Sequence, residues 1–446
     1  MAKPRTEWRC QQCGCAAPRW LGRCPECGEF GTFVEEIRTA PEALRDAPRR
    51  AAPVPLAEVE ASGGARLRTG VTEFDRVLGG GLVRGSLVLL AGEPGIGKST
   101  LLLQTAGSLA DGGSRVLYVS GEESAAQVKL RADRLGVCSG IYLLPETDIT
   151  AVTEAAASVH PDVCVVDSIQ TMVDPALEGV AGSVGQVRAC AAQLMRLAKN
   201  DGISVLLVGH VTKEGTIAGP RVLEHTVDTV LSFEGDREHM FRIVRATKNR
   251  FGSVSEIGVF EMTGNGLAGV ADPSGVLLSD RREESPGTCV LATVEGTRPM
   301  LVELQALVSP SYLPAPRRLS VGIDTARVLQ LLAVLERRAG VAFGQFDVYV
   351  SVAGGVRITE PAVDLPLALA LASARTDRPL PSGAVAFGEV GLSGEVRAVA
   401  HTQARVSEAA RMGLGPVVTA LQPARSHDAV QCREVRSVSE AIHELL

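Results

Sequence analysis

Short apolar runs recur through the middle of the chain, and stretches in which apolar positions return every three or four residues lie between them. The runs are Ser86-Leu87-Val88-Leu89-Leu90-Ala91, Arg115-Val116-Leu117-Tyr118-Val119-Ser120, Val163-Cys164-Val165-Val166-Asp167 and Val205-Leu206-Leu207-Val208-Gly209. Apolarity without alternation marks strands buried on both faces, and helical stretches between them predict crossovers, so the core is expected to be α/β with a mostly parallel sheet. Thr229-Val230-Leu231-Ser232-Phe233 and the run from Met240 to Ala246 carry the strand pattern toward residue 270. Ahead of the first run, the stretch from Thr69 to Leu82 reads as a short helix closed by Gly79, Gly80 and Gly81.

Composition divides the rest. A chain of 446 residues predicts two or three domains. Between residues 38 and 67 the sequence shifts to Ala, Pro, Arg and Glu, which predicts a linker; a second linker is predicted over 272–287, where Asp-Pro and Ser-Pro-Gly breakers surround a charged run. The expected plan is a small module at 1–37, a P-loop domain at 68–271 and a further domain at 288–446. The formal net charge of −6 argues against a uniformly basic nucleic-acid binder but is compatible with a local basic surface. No apolar run approaches the ~20 residues that span a bilayer, and the start lacks the apolar stretch of a signal peptide. A cytoplasmic protein with no membrane partner is the expectation.

The run ending at Ala91 leads into Gly92-Glu93-Pro94-Gly95-Ile96-Gly97-Lys98-Ser99-Thr100 and then a helical pattern, which is a P-loop with strand before and helix after. The spacing lets backbone N–H groups curl around phosphates, sets Lys98 against the β and γ oxygens, and offers the Ser99 hydroxyl to Mg²⁺. Asp167, closing an apolar strand, fits a carboxylate that holds Mg²⁺ through water; an Asp that simply caps the next helix is the plain alternative. Hydrolysis also needs a carboxylate that orients and deprotonates water. Glu122 and Glu123 follow a strand end, where ligands bind in open parallel sheets; Glu122 is favoured, and a solvated acidic pair is the plain alternative. Gln170 and His210 follow two other strand ends, suited to sensing phosphate, touching a polymer or serving as ordinary loop polar groups. Far downstream, Lys248-Asn249-Arg250-Phe251-Gly252 puts two cations two residues apart, able to reach a neighbouring subunit's γ-phosphate or a nucleic-acid backbone.

Five of the ten cysteines fall in the first 27 residues. Cys10-x2-Cys13 and Cys24-x2-Cys27 are paired thiolate knuckles, with Gly14 and Gly28 permitting the turns after them. Four thiolates close a tetrahedral shell, so a structural zinc is predicted, supplying roughly 10–16 kcal/mol to a segment too small to fold alone. Cys15 falls outside the spacing.

Taken together, these residues resemble the bacterial RadA family, also called Sms, of RecA-like DNA repair ATPases. The resemblance rests on the four-cysteine knuckle with Trp20-Leu21-Gly22-Arg23 between its halves, the P-loop, Tyr118-Val119-Ser120-Gly121-Glu122-Glu123-Ser124, Asp167-Ser168-Ile169-Gln170-Thr171, and Lys248 to Gly252. It covers nearly the whole chain. It implies a RecA-like core using ATP and Mg²⁺, hydrolysis stimulated by DNA, binding to single-stranded and branched DNA, and branch migration of recombination intermediates. It also implies a homo-hexameric ring with Lys248 and Arg250 acting in trans, a DNA-facing loop from His210 to Arg221, and a recombinase partner for the zinc module. The last domain resembles the Lon protease domain, an α+β fold, but Asp364 stands by register where that family has its serine and Gln403 where it has its lysine. No peptidase chemistry is expected from such a pair. The competing reading is a RecA-like ATP-gated scaffold or signalling protein that does not translocate.

Overall fold

The computed structural model describes residues 5–10, 12, 15–38, 55, 66–137, 140–210, 221–235, 241–279, 281, 285–420 and 430–446. It divides into two compact units, Met1–Asp236 with Arg242–Gly269, and Arg237–Phe241 with Val270–Leu446. The first begins with a small antiparallel sheet, in which β1 (Arg5–Cys10) pairs with both β2 (Ala16–Ala17) and β3 (Phe33–Arg38).

The main body follows the alternation read from the sequence. Its elements are α1 (Thr72–Leu78), β4 (Leu87–Gly92), α2 (Lys98–Asp111), β5 (Val116–Ser120), α3 (Ala125–Arg134), β6 (Ile141–Leu144), α4 (Ile149–Val159) and β7 (Val163–Asp167). Then come α5 (Val184–Asp201), β8 (Ser204–His210), α6 (Arg221–Thr226), β9 (Thr229–Glu234), β10 (Phe241–Asn249), β11 (Ile257–Thr263) and β12 (Gly266–Gly269). Among the described residues the strands form one sheet in the order β12-β11-β10-β9-β4-β8-β7-β5-β6. From β9 to β6 every neighbouring pair is parallel, while β10 turns back antiparallel on β9.

β4 shows why its sequence does not alternate. Val88 and Leu90 enter a core built with Phe74 of α1, Leu102 of α2 and Val128 of α3. Leu87, Leu89 and Ala91 enter the opposite core, with Val152 of α4 and Leu194 of α5. Both faces are covered, so every position of the strand is buried. Each such Leu or Val stabilises the sheet by about 1.5–3 kcal/mol, and Leu89→Ala is expected to cost about 2–5 kcal/mol.

The second unit opens earlier than the breaker pattern suggests. Residues expected as linker form α7 (Pro273–Leu278). Asp272 accepts a bond from the Gly275 N–H at 3.1 Å, and Pro273 takes the first helical position, so the Asp-Pro pair starts a helix here. The Ser274 hydroxyl accepts from Leu301 N–H, and Arg298 donates to the carbonyls of Val270 and Ala271, which fastens the segment to its own unit.

After α7 come β13 (Thr288–Glu295), β14 (Arg298–Pro310), β15 (Arg318–Val321), α8 (Thr325–Arg338), β16 (Phe346–Val352), α9 (Asp364–Thr376), β17 (Val385–Phe387), β18 (Glu389–Val390), β19 (Val396–Arg397), α10 (Thr402–Arg411), β20 (Val417–Ala420), β21 (Cys432–Val435) and α11 (Val438–Leu445). The described strands make a mixed sheet, β15-β16-β14-β13-β17-β20-β21, and a separate β18-β19 pair. Helix α9 is buried from Asp364 to Ser373 and packs between this sheet and helices α8 and α11. A helix apolar on every side belongs in such a place.

Candidate active site

The loop between β4 and α2 is shaped by glycines. Gly95 and Gly97 hold φ angles of 79° and 118°, which L side chains rarely adopt, and Gly97 ends the turn as the N-cap of α2. The first-turn N–H groups of this 14-residue helix therefore face the loop, where an anion would be favoured. Lys98 is buried, and its Nζ donates to the carbonyls of Gly92 and Glu93, both at 2.8 Å. Burial pushes its ammonium down to about 8, against the opposing pull of Asp167, Glu122 and Glu93.

Those carboxylates come from neighbouring strand ends. β5 and β7 pair in parallel with Ser120 opposite Asp167, so Glu122 and Asp167 emerge at the same edge. Gly121 makes the approach possible: its N–H donates to Asp167 O at 2.8 Å, and a Cβ there would lie 2.1 Å from Thr171 Oγ1. Glu122 Oε1 accepts from His210 Nε2 at 2.9 Å and from Ser168 Oγ at 2.6 Å. The His210 bond, then the Ser168 bond, hold its carboxyl down at about 2, while partial burial works the other way. Glu123, by contrast, is paired with Arg131 of α3 at 2.5 Å. Asp167 is buried, and its Oδ2 accepts from Tyr118 Oη at 2.8 Å. Its Oδ1 is buried with no hydrogen-bond partner. Gln170 places both side-chain polar atoms in the same condition, and so does His210 with Nδ1.

An anionic nucleotide with its divalent cation fits this set. The glycine turn and helix N-terminus suit phosphates, and the orphaned oxygen of Asp167 is the kind of hard donor that Mg²⁺ or its bound water takes. Ser99 sits on the first turn of α2.

At the amino end, Cys10, Cys24 and Cys27 bring their Sγ atoms within 4.8 Å of one another. The turns that do this are local: Gly28 N–H donates to Cys24 O at 2.9 Å with φ at 78°, and Cys10 N–H donates to Cys15 O at 2.9 Å. Cys13 lies outside the described residues. Three converging thiols on two knuckles fit a thiolate-bound zinc.

A family profile described as an AAA domain matches residues 55–216, and one described as a rubredoxin metal-binding domain matches residues 8–35. The DNA repair protein RadA of Bacillus subtilis is 51% identical over 421 residues, covering 93% of this chain and 92% of its own. The DNA repair protein RadA of Brucella abortus is 50% identical over 425 residues, covering 93% and 91%. The corresponding protein of Streptococcus pyogenes serotype M1 is 47% identical over 445 residues, covering 98% of each chain. The chain belongs to the RadA family.

It therefore carries the P-loop ATPase domain and the metal-binding ribbon of RadA proteins. Within this RadA-family chain, Lys248 and Arg250 do not join Lys98, Glu122 and Asp167. Lys248 pairs with Val230 and Asn249 with Thr229; those residues lie opposite Leu89 and Val88, toward the start of β4. Arg250 is displaced from the P-loop by about five strand positions, roughly 16 Å at ~3.3 Å per residue. There Lys248 Nζ donates to the carbonyls of Glu224 and Val227, at 2.5 and 2.8 Å, closing the end of α6. Arg250 and Lys199 share the buried carboxylate of Asp228, at 3.4 and 2.8 Å. The loop expected to face DNA, residues 211–220, lies outside the described residues.

In the second unit Asp364 begins α9 nearly fully buried. Arg327 donates to it through Nε and, at 2.7 Å, through Nη2, and the Val390 N–H adds a bond at 3.0 Å. Gln403 lies on α10. Among the described residues, no helix is long and apolar enough to cross a membrane.

Proposed function

We propose that the chain is a DNA repair ATPase whose hydrolysis is stimulated by DNA and drives branch migration on single-stranded and branched recombination intermediates. The observation that carries the chemical half is the convergence of Lys98, Glu122 and Asp167 on one sheet edge beside the P-loop, with an unmatched Asp167 oxygen among them. Lys98 would leave its two loop carbonyls for the β and γ phosphates. Glu122, ionised at neutral pH, would orient the attacking water and take its proton. Ser99 and Asp167 would hold Mg²⁺, which supplies charge neutralisation at the phosphates. The repair and DNA half rests on family membership.

Lys248 and Arg250 lie too far from their own P-loop to serve it, so they are assigned to the nucleotide of an adjacent subunit in a homo-hexamer. The zinc ribbon is assigned to contact with a recombinase, and its metal to structure: chelation is expected to unfold residues 8–35 while leaving ATP binding intact. The decisive experiment is the ATPase rate with and without single-stranded DNA across a salt series, for the native chain and Lys248→Ala. Stimulation that weakens steeply with salt and disappears in the variant supports the proposal. Unchanged stimulation in Lys248→Ala would reject the trans role, and no stimulation in either chain would favour the scaffold reading.

A further inference from the structure

Tyr118 is a large buried polar side chain of the first unit that the proposed chemistry leaves unused. It is only 1% exposed, in the middle of β5, where the sequence reads as plain core. Its register partner on β7 is Val165, two residues before Asp167, so Tyr118 and Asp167 project from the same face of the sheet. The phenol reaches forward along that face and donates to Asp167 Oδ2 at 2.8 Å. The ring belongs to the same core as Leu103 and Val128, with Ala132 and Leu143 packed against it, and these residues line a cavity of about 120 Å³.

One feature makes this bond more than core satisfaction. It engages one carboxylate oxygen only, while Oδ1 is buried without a partner. A carboxylate held at one oxygen cannot turn freely about its Cβ–Cγ bond, and its other oxygen keeps one direction.

We propose that Tyr118 is a positioning residue for the nucleotide's metal: its hydroxyl locks Asp167 so that Oδ1 is presented to the Mg²⁺ that accompanies ATP. This rests on the assignment of Asp167 to the metal side of the site. Partners that orient metal ligands typically contribute 10–100-fold in metal affinity or activity.

The test is Tyr118→Phe, which keeps the ring and its packing and removes one oxygen. Affinity for a fluorescent ADP would be measured by anisotropy with Mg²⁺ and with EDTA, alongside the melting temperature. The expected result is an unchanged affinity in EDTA and about a tenfold loss of the strengthening that Mg²⁺ gives the native chain. A lower melting temperature with full Mg²⁺ strengthening would overturn the proposal, because a merely structural hydroxyl behaves that way. Asp167→Asn, run in parallel, separates the two claims. If it abolishes the strengthening and Tyr118→Phe does not, only the Tyr118 proposal fails; if neither changes it, the assignment of Asp167 fails first. A second readout uses the native sequence with 3-fluorotyrosine at its four tyrosines. Adding Mg²⁺ to the ADP complex is expected to shift the fluorine signal of Tyr118, and a static signal would count against the proposal.

Discussion

Asp167 and Asp364 are both buried aspartates at the ends of regular elements, and they differ in how well they are matched. Asp364 gives both oxygens to Arg327 and adds the Val390 N–H. Asp167 receives one bond from a neutral phenol, and its second oxygen has none. Burying a carboxylate costs several kcal/mol unless donors compensate it, so the fully matched one belongs to the architecture. On the proposed reading, the half-matched one is a liability for the fold alone and an asset when a cation arrives. Matching, more than burial or position, separates the two.

The sharpest way to break this contrast is to neutralise each in turn. Asp167→Asn is expected to lower the ATPase rate by about 100-fold or more, since the magnesium side of such a site supplies several kcal/mol. Asp364→Asn is expected to leave the rate per folded molecule within about twofold, as the group sits in the second unit and is satisfied there. Steady-state hydrolysis of both purified variants, corrected for the folded fraction, checks the pair. Similar losses in the two would end the distinction.

Stability should run the other way. Asp364→Ala removes one partner of a buried pair and leaves Arg327, about one-third exposed, to be partly rehydrated. A cost of about 2–3 kcal/mol is expected, below the full range for deeply buried pairs. Asp167→Asn removes an under-compensated charge, so the variant without nucleotide is expected to be as stable as the native chain or up to about 1 kcal/mol more so. Denaturant melts of the two variants without nucleotide measure both signs at once.

How much of this could be read beforehand follows the range of each interaction. The P-loop was legible because strand, glycine turn and helix are consecutive in the chain, and the parallel sheet because its strands lack alternation. Glu122 and Asp167 were placed as candidates by the rule that ligands gather at strand ends. The separation of Glu122 from Glu123 was weaker in the sequence, since it depends on Arg131, a full helical segment away, claiming the latter. Tyr118 was invisible as a partner of Asp167, because an aromatic in an apolar strand reads as core and the pairing of β5 with β7 is not written locally. Asp272-Pro273 is ambiguous for another reason: the same dipeptide that breaks one element caps the next, and only the tertiary contacts of Ser274 and Arg298 decide which. The placement of Lys248 and Arg250 at the far end of the sheet likewise depends on β10 returning antiparallel along β9.

The smallest expected effect concerns how far Glu122 itself is matched. It lies between the two aspartates: His210 and Ser168 both bind Oε1, and the carboxyl is held at about 2, below its ordinary 4.5. A depressed carboxyl contributes stability that is full above about pH 4.5 and is lost as pH falls toward 2. His210→Ala removes the first-named cause, so the Glu122 carboxyl should rise toward its ordinary value, with the Ser168 bond left to hold it partly down. The difference in melting temperature between native and variant chains is therefore expected to be largest at pH 5 and above and to shrink as pH falls through the window from 4.5 to 2. A carboxylate held this low is a weak base, and efficient proton acceptance favours a value nearer the working pH. Loosening the His210 contact should therefore raise the intrinsic basicity of Glu122 even as it removes an orienting bond. If orientation dominates, His210→Ala slows hydrolysis without DNA; if basicity dominates, it speeds it. A gap in melting temperature that stays constant from pH 6 to pH 2 would mean that the His210 bond does not set the charge of Glu122, and the group would then belong with Asp364 as architecture.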